Sequence, residues 1–176
     1  MKLLVASSLI FCAASVANAD CAADEGLYLS CELRDGNKRV SVCFDDDQAH
    51  YKYGKINAPA ELEISTPFSA LDYMPSSRNG QSVIDQVVFE NGQYHYEVIM
   101  GFLIPFEDIP KGELAPFVRF GDTRFGEITV SRKGEIISEQ QCRFESIVFN
   151  QKSMIEATNT KGVKLWTPWV ARKSND

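Results

Sequence analysis

Two histidines, His50 and His95, are the first places to look for chemistry, because imidazole titrates near neutral pH and serves as a general base. Each stands mid-strand among polar neighbours, in A-H-Y-K-Y and Y-H-Y-E-V. A surface or hydrogen-bonded histidine is the expectation. The sharper alternative joins one of them to a serine and an acid as a nucleophilic triad, but the chain lacks the G-x-S-x-G elbow that presents such a serine. It also lacks H-E-x-x-H, a P-loop and a dinucleotide fingerprint. A glycosidase-like carboxylate pair leaves no motif, and among 24 acids its availability says little. Asp45-Asp46-Asp47 lacks the spaced oxygens and closing Glu of a calcium loop and reads as a solvated turn. Tyr51, Tyr53, Tyr94 and Tyr96 could line a ligand groove; at strand spacing, packing is the expectation.

The cysteines carry more information. Residues 1–19 have the marks of a secretory signal peptide: Lys2, the apolar run Leu3 to Val16, and the small-residue site Ala17-Asn18-Ala19, which predicts a mature chain from Asp20. Phe11 precedes Cys12 and Asp20 precedes Cys21, so neither cysteine has the small neighbour of a lipidation site, and no membrane anchor is expected. The short leader looks bacterial and points to the periplasm. Cys12 leaves with it, and Cys21, Cys31, Cys43 and Cys142 remain. An even number in an oxidising compartment predicts two disulfides, each contributing ~2–4 kcal/mol. Four cysteines allow three pairings. A hairpin centred near Asn37 sets Cys31 opposite Cys43, leaving Cys21 for Cys142. In that register Cys43 is out of phase with Val42 and Phe44, which a bulge would reconcile. No C-x-x-C pair occurs and no histidine sits at ligand spacing, so no metal and no cofactor are expected.

The elements that must position these residues are strands. Leu27, Leu29, Cys31 and Leu33 alternate with polar residues, as in a half-buried strand. Asp35 to Lys38 is a turn, and Val40, Val42 and Phe44 open the return. Ala49, Tyr51 and Tyr53 form a third strand ending at Gly54, and Leu62 and Ile64 a fourth. Pro67 to Pro75 reads as irregular, with Phe68, Leu71 and Tyr73 packing inward, and Ser76 to Gly80 as a polar loop. Ser82–Glu90 and Gln93–Phe102 flank Asn91-Gly92, a strong hairpin signal. A two-residue turn there pairs Phe89 with Tyr94 and Val87 with Tyr96, and leaves Gln86, Val88, His95 and Glu97 on the opposite face. Ile104 to Gly112 reads as a loop and Phe117 to Phe120 as a short strand. A hairpin turns at Arg132-Lys133-Gly134, and Ser146 to Phe149 is a last strand. Together these predict an all-β fold, an antiparallel β-barrel or β-sandwich of about nine or ten short strands, stapled by disulfides. Residues 1–19 are the signal peptide, 20–150 a single β domain, and 151–176 a C-terminal extension with Trp166 and Trp169.

Composition is that of an ordinary globular domain, 44% hydrophobic and 24% charged. Loss of the leader takes Lys2 and no acid, so the net charge of −6 becomes −7. Such a surface disfavours nucleic acid; moderate negative charge of this kind serves solubility in the first place, and it also suits a basic protein partner.

The run C-E-L-R-D-G-N-K-R-V-S-V-C, then Y-K-Y-G and A-E-L-E-I, with the later F-E-N-G-Q-Y-H-Y-E-V and V-S-R-K-G-E, resembles a group of small uncharacterised exported bacterial β-proteins, over roughly Leu27 to Cys142. That resemblance implies no known activity. The chain is also similar, more distantly, to periplasmic inhibitors of C-type lysozyme, small disulfide-bearing β-barrels that insert a Ser/Gly-containing loop into the lysozyme cleft. Ser76, Ser77, Arg78 and Asn79 fall in the region of that loop without reproducing its motif. The expectation is a non-enzymatic binding or inhibitor-like module whose partner is a basic periplasmic or host protein such as a lysozyme, with Ser76–Asn79 as contact loop. The rival is a cell-wall hydrolase using a carboxylate pair.

Overall fold

In the computed structural model, residues 19–79, 82–103 and 124–150 are described, with backbone only over 75–79 and 82–83. The alternating segments form strands β1 (Gly26–Glu32), β2 (Lys38–Phe44), β3 (Gln48–Lys55), β4 (Ala60–Pro67), β5 (Asp72–Asn79), β6 (Ser82–Asn91), β7 (Tyr94–Leu103), β8 (Arg124–Arg132), β9 (Glu135–Gln141) and β10 (Val148–Phe149). They build two antiparallel five-stranded sheets, ordered β10-β1-β2-β3-β4 and β5-β6-β7-β8-β9. The inward positions of both sheets share one core that includes Leu29, Val40, Val42, Tyr51, Tyr73, Val87, Phe89, Val98 and Met100. Tyr51 packs on Phe89 and Tyr96 with ring centroids 5.7 and 5.4 Å away. The sheets do not close into a barrel, an arrangement consistent with the sandwich of the two expected architectures. An isolated bridge, Leu33↔Cys142, links the end of the first strand to the chain after β9.

Register is where the structure departs from the sequence reading. The first hairpin pairs Cys31 with Val40 and Glu32 with Arg39, so its centre lies between Asp35 and Gly36 and not at Asn37. Cys31 therefore does not face Cys43. The disulfides are Cys21–Cys43 and Cys31–Cys142, the reverse of the expected pairing. Strand parity is the reason. Cys31 points into the core, where Cys142 arrives beside Leu33, whereas Cys43 lies on the outer face of its sheet, which the N-terminal segment crosses. The phase mismatch of Cys43 was real and needed no repair. A bulge does occur in β1, between Leu27 and Leu29, but it turns Tyr28 inward instead. Gly126 lies against the core disulfide: a Cβ there would stand 2.6 Å from Cys142 Sγ and 2.9 Å from Met100 Cε.

The second hairpin is present, but slid by two residues. Asn91 pairs with Tyr94, Phe89 with Tyr96 and Val87 with Val98, so the turn residues are Gly92 and Gln93. Gly92 has φ +64°, the left-handed value that glycine adopts cheaply at the first position of such a turn. A slip of two preserves the faces, so Val87 and Phe89 are buried as expected. The β8–β9 turn is Lys133-Gly134, both with positive φ (54° and 82°), a pattern that matches the right-handed twist of the flanking strands.

Ser76 to Asn79 is not a loop. Its backbone belongs to β5, with Ser77 paired to Ile84 and Asn79 to Ser82. The register shifts between Met74 and Ser77, around Pro75, which has no N–H to give and is tolerated on an edge strand at a bulge. Phe68, Leu71 and Tyr73 are buried as expected, from a 3-10 turn (Phe68–Ala70) and the start of β5. A second 3-10 turn at Phe144–Ser146 shortens the last strand to Val148–Phe149. Residues 1–18 of the expected signal peptide, Gly80, the segments Ile104–Gly112 and Phe117–Phe120, and the tail 151–176 lie outside the described residues.

Candidate functional site

On β3, Ala49, Tyr51 and Tyr53 face the core, so His50 and Lys52 point to the other side of the sheet. That side is covered near them. The Cys21–Cys43 bond ties the N-terminal segment down, and Glu25 closes a turn by accepting from the Ala22 N–H at 2.7 Å. Asp20 pairs with Arg39 at the segment's start. Glu25 then receives Lys52 Nζ on both oxygens, at 2.8 and 2.7 Å. Lys52 is 4% exposed, and a buried ammonium needs such a partner. Glu63 stands 3.7 Å from the same nitrogen.

His50, 8% exposed, is held at both ring nitrogens. Nδ1 lies 2.9 Å from Ser65 Oγ and Nε2 lies 3.1 Å from Asp45 Oδ2. The first contact follows from register, since His50 and Ser65 are direct partners across β3 and β4. The second follows from the turn before β3, where Asp45 Oδ1 accepts from the N–H groups of Asp47 (2.8 Å) and Gln48 (2.9 Å). Burial pushes the Asp45 carboxyl up, but these N–H bonds and the neighbouring imidazole outweigh it and hold it at about 2. Asp45 is thus an ionised acceptor at neutral pH. With the ring proton on Nε2, Asp45 accepts from it and Nδ1 accepts from the Ser65 hydroxyl. The solvated-turn expectation holds for the exposed Asp46 and is corrected for Asp45. Glu25, His50 and Glu63 each bring a ligand atom within 4.8 Å of the others, yet an ion there would have to displace Lys52, the cation that Glu25 already holds. Cys21 and Cys43 are spent in a disulfide.

The outer face of the second sheet is different in kind. It is an open concavity of about 380 Å³, lined by Asp72, Gln86, Glu90, His95, Glu97 and Thr129 among others. It contains the Gln86, Val88, His95 and Glu97 face expected from alternation. His95 is partly exposed there, with Nδ1 3.4 Å from Glu90.

A third polar group lies between the sheets. Asp85 is 2% exposed and accepts from the hydroxyls of Tyr28 at 3.1 Å and Tyr73 at 3.3 Å. Burial, then the charge of Asp85, pushes both phenols well up, so they stay protonated donors. The β1 bulge aims Tyr28 at this carboxylate, and its ring packs edge-on to Tyr73 and Phe149 at 5.9 and 5.2 Å. The signal was in the sequence: Asp85 shares the parity of Val87 and Phe89, the apolar face of β6.

The four tyrosines are packing residues. Tyr51 is in the core with Tyr96 against it, Lys38 lies over Tyr53 and Arg132 over Tyr94. Two disulfides indicate an oxidising, extracellular-type compartment, and no helix among the described residues is long and apolar enough to cross a membrane. No known protein-family model, curated protein or solved structure matches the chain.

Proposed function

We propose that this is an exported, periplasmic binding module, inhibitor-like in character, that holds a basic protein on the outer face of its second sheet. The observation that carries this reading is the open concavity whose rim bears Asp72, Glu90 and Glu97, on a chain with net charge −7 once the leader is removed. Carboxylates spread over a rigid sheet attract a cationic surface and raise its association rate. The face is built on paired strands of a five-stranded sheet, so little ordering is needed on binding. The distant likeness to lysozyme inhibitors names the partner to try first, a C-type lysozyme. Contact through the end of β5, with Arg78, is part of the same proposal, since Asp72 and Arg78 lie on one edge strand.

Calorimetric titration of the chain from Asp20 with a C-type lysozyme tests it. The expected result is a complex that the triple change Asp72→Asn, Glu90→Gln, Glu97→Gln weakens at least about tenfold, roughly 1.4 kcal/mol. Arg78→Ala decides whether the contact runs on along β5. Unchanged affinity in the triple variant removes the concave face. Cleavage of cell-wall glycan by the wild type, abolished in Glu90→Gln or Glu97→Gln, would replace the binder with the carboxylate hydrolase.

A further inference from the structure

We propose that Ser65 is an activated nucleophile that accepts acyl groups from small, unhindered carboxylic esters, with His50 as its general base and Asp45 as the positioning residue. This is a second activity, on the opposite sheet from the concave face, and does not rest on the binding reading. Three observations meet in it. Ser65 is an exposed residue, and its hydroxyl lies 2.9 Å from His50 Nδ1 in a part-buried contact, within the reach that proton transfer needs. The imidazole is buried and fixed by Asp45 at 3.1 Å, which sets the tautomer with Nδ1 free to take a proton. Asp45 is itself fixed by two backbone N–H groups. A nucleophile, a base and a group that orients the base therefore stand in line.

The exposed position of Ser65, on the edge strand β4, sets the substrate class, since nothing buried has to open for a small ester to reach it. In the first step Ser65 Oγ bonds to the ester carbonyl carbon while its proton passes to His50 Nδ1. The carbon–oxygen bond to the leaving group then breaks, and the alcohol departs with the proton from the imidazolium. Water attacks the acyl-Ser65 carbonyl, giving a proton to His50 Nδ1. Ser65 Oγ leaves, recovers that proton, and a carboxylic acid is released.

Four charged groups face the imidazole from the elements packed around it: Asp45 from the turn, Glu25 from the N-terminal segment, Glu63 from β4 and Lys52 from β3. Replacing Asp45 removes the group that orients the ring, so it should slow the reaction.

The test is labelling of the folded chain from Asp20 with a fluorophosphonate, where phosphorus bonds to the serine oxygen and fluoride leaves, followed by peptide mass spectrometry. Hydrolysis of 4-nitrophenyl acetate is measured in parallel. Ser65 should be the labelled serine, and Ser65→Ala should abolish both label and hydrolysis above background. His50→Gln should slow labelling at least about 100-fold, with an unchanged circular dichroism spectrum. Asp45→Asn should slow labelling less and lower kcat for 4-nitrophenyl acetate with KM unchanged, which a purely structural Asp45 would not do. Ser65 labelled no faster in the folded wild type than in the denatured chain, or no slower in folded His50→Gln, would show a hydrogen-bonded ladder and overturn the proposal.

Discussion

Asp85 and Asp45 show how one residue type serves two ends. Asp85 sits between the sheets because Tyr28 from one sheet and Tyr73 from the other donate to it. A hydrogen bond to a buried charge contributes ~1.5–3 kcal/mol. Tyr28→Phe should therefore lower stability by about 2 kcal/mol. Asp85→Ala should cost more, since it strands two buried hydroxyls. Urea unfolding of the two variants checks both, and equal stability of Asp85→Ala and wild type would refute the tie. Asp45 acts through pH. Its carboxyl is lowered from 3.8 to about 2 in the fold, so its contribution is fully present above about pH 4 and is lost as pH falls through 2. The side chain is 38% exposed, and after allowing for solvent screening the contribution is on the order of 1 kcal/mol. The stability gap between wild type and Asp45→Asn should hold near neutrality and close between pH 4 and pH 2 in acid titrations.

At the scale of elements the disulfides do unequal work. Cys31–Cys142 spans 111 residues and Cys21–Cys43 spans 22. Loop-closure entropy then assigns ~4.7 kcal/mol to the longer bridge and ~3 kcal/mol to the shorter. The paired change of Cys31 and Cys142 to Ala should thus lower the melting temperature more than that of Cys21 and Cys43. The shorter bridge has a separate consequence, because it holds Glu25 over Lys52. Its loss should expose the β3 amides to hydrogen exchange while β6–β8 stay protected. Non-reducing peptide mapping that joins Cys31 to Cys43 would overturn both statements. Most strands and their faces were legible in the sequence, because alternation is local; β5 was not, since Pro67 to Pro75 read as irregular and Ser76 to Gly80 as loop. Register was not legible either, since both hairpins have several turn residues that accept positive φ: the first slid by three residues and the second by two, and only a slip of two leaves every face unchanged.

For the whole molecule, the acidic surface makes a prediction independent of partner identity. Binding on the concave face should weaken as salt rises from 50 to 500 mM, mainly through a slower association rate, since the Debye length falls below the spacing of surface charges (~10 Å at 0.1 M). Stopped-flow association with a C-type lysozyme at several salt concentrations measures it. A salt-independent rate would take charge out of the recognition. Ser65→Ala should leave this binding unchanged, because it lies on the other sheet.

The chain by itself determined the all-β class, most of the strands, their buried faces and the pairing of Cys21, Cys31, Cys43 and Cys142 into two disulfides, because each depends on neighbours a few residues apart. The tertiary structure decided which cysteines meet, that Asp72–Asn79 is a strand, and that His50 lies between Ser65 and Asp45. Those outcomes turn on which strands become neighbours, in what register, and on where the N-terminal segment crosses the sheet. Fifteen residues separate His50 from Ser65, with no motif between them. Only the pairing of β3 with β4 places the hydroxyl on the ring, and that pairing is a property of the packed sheet.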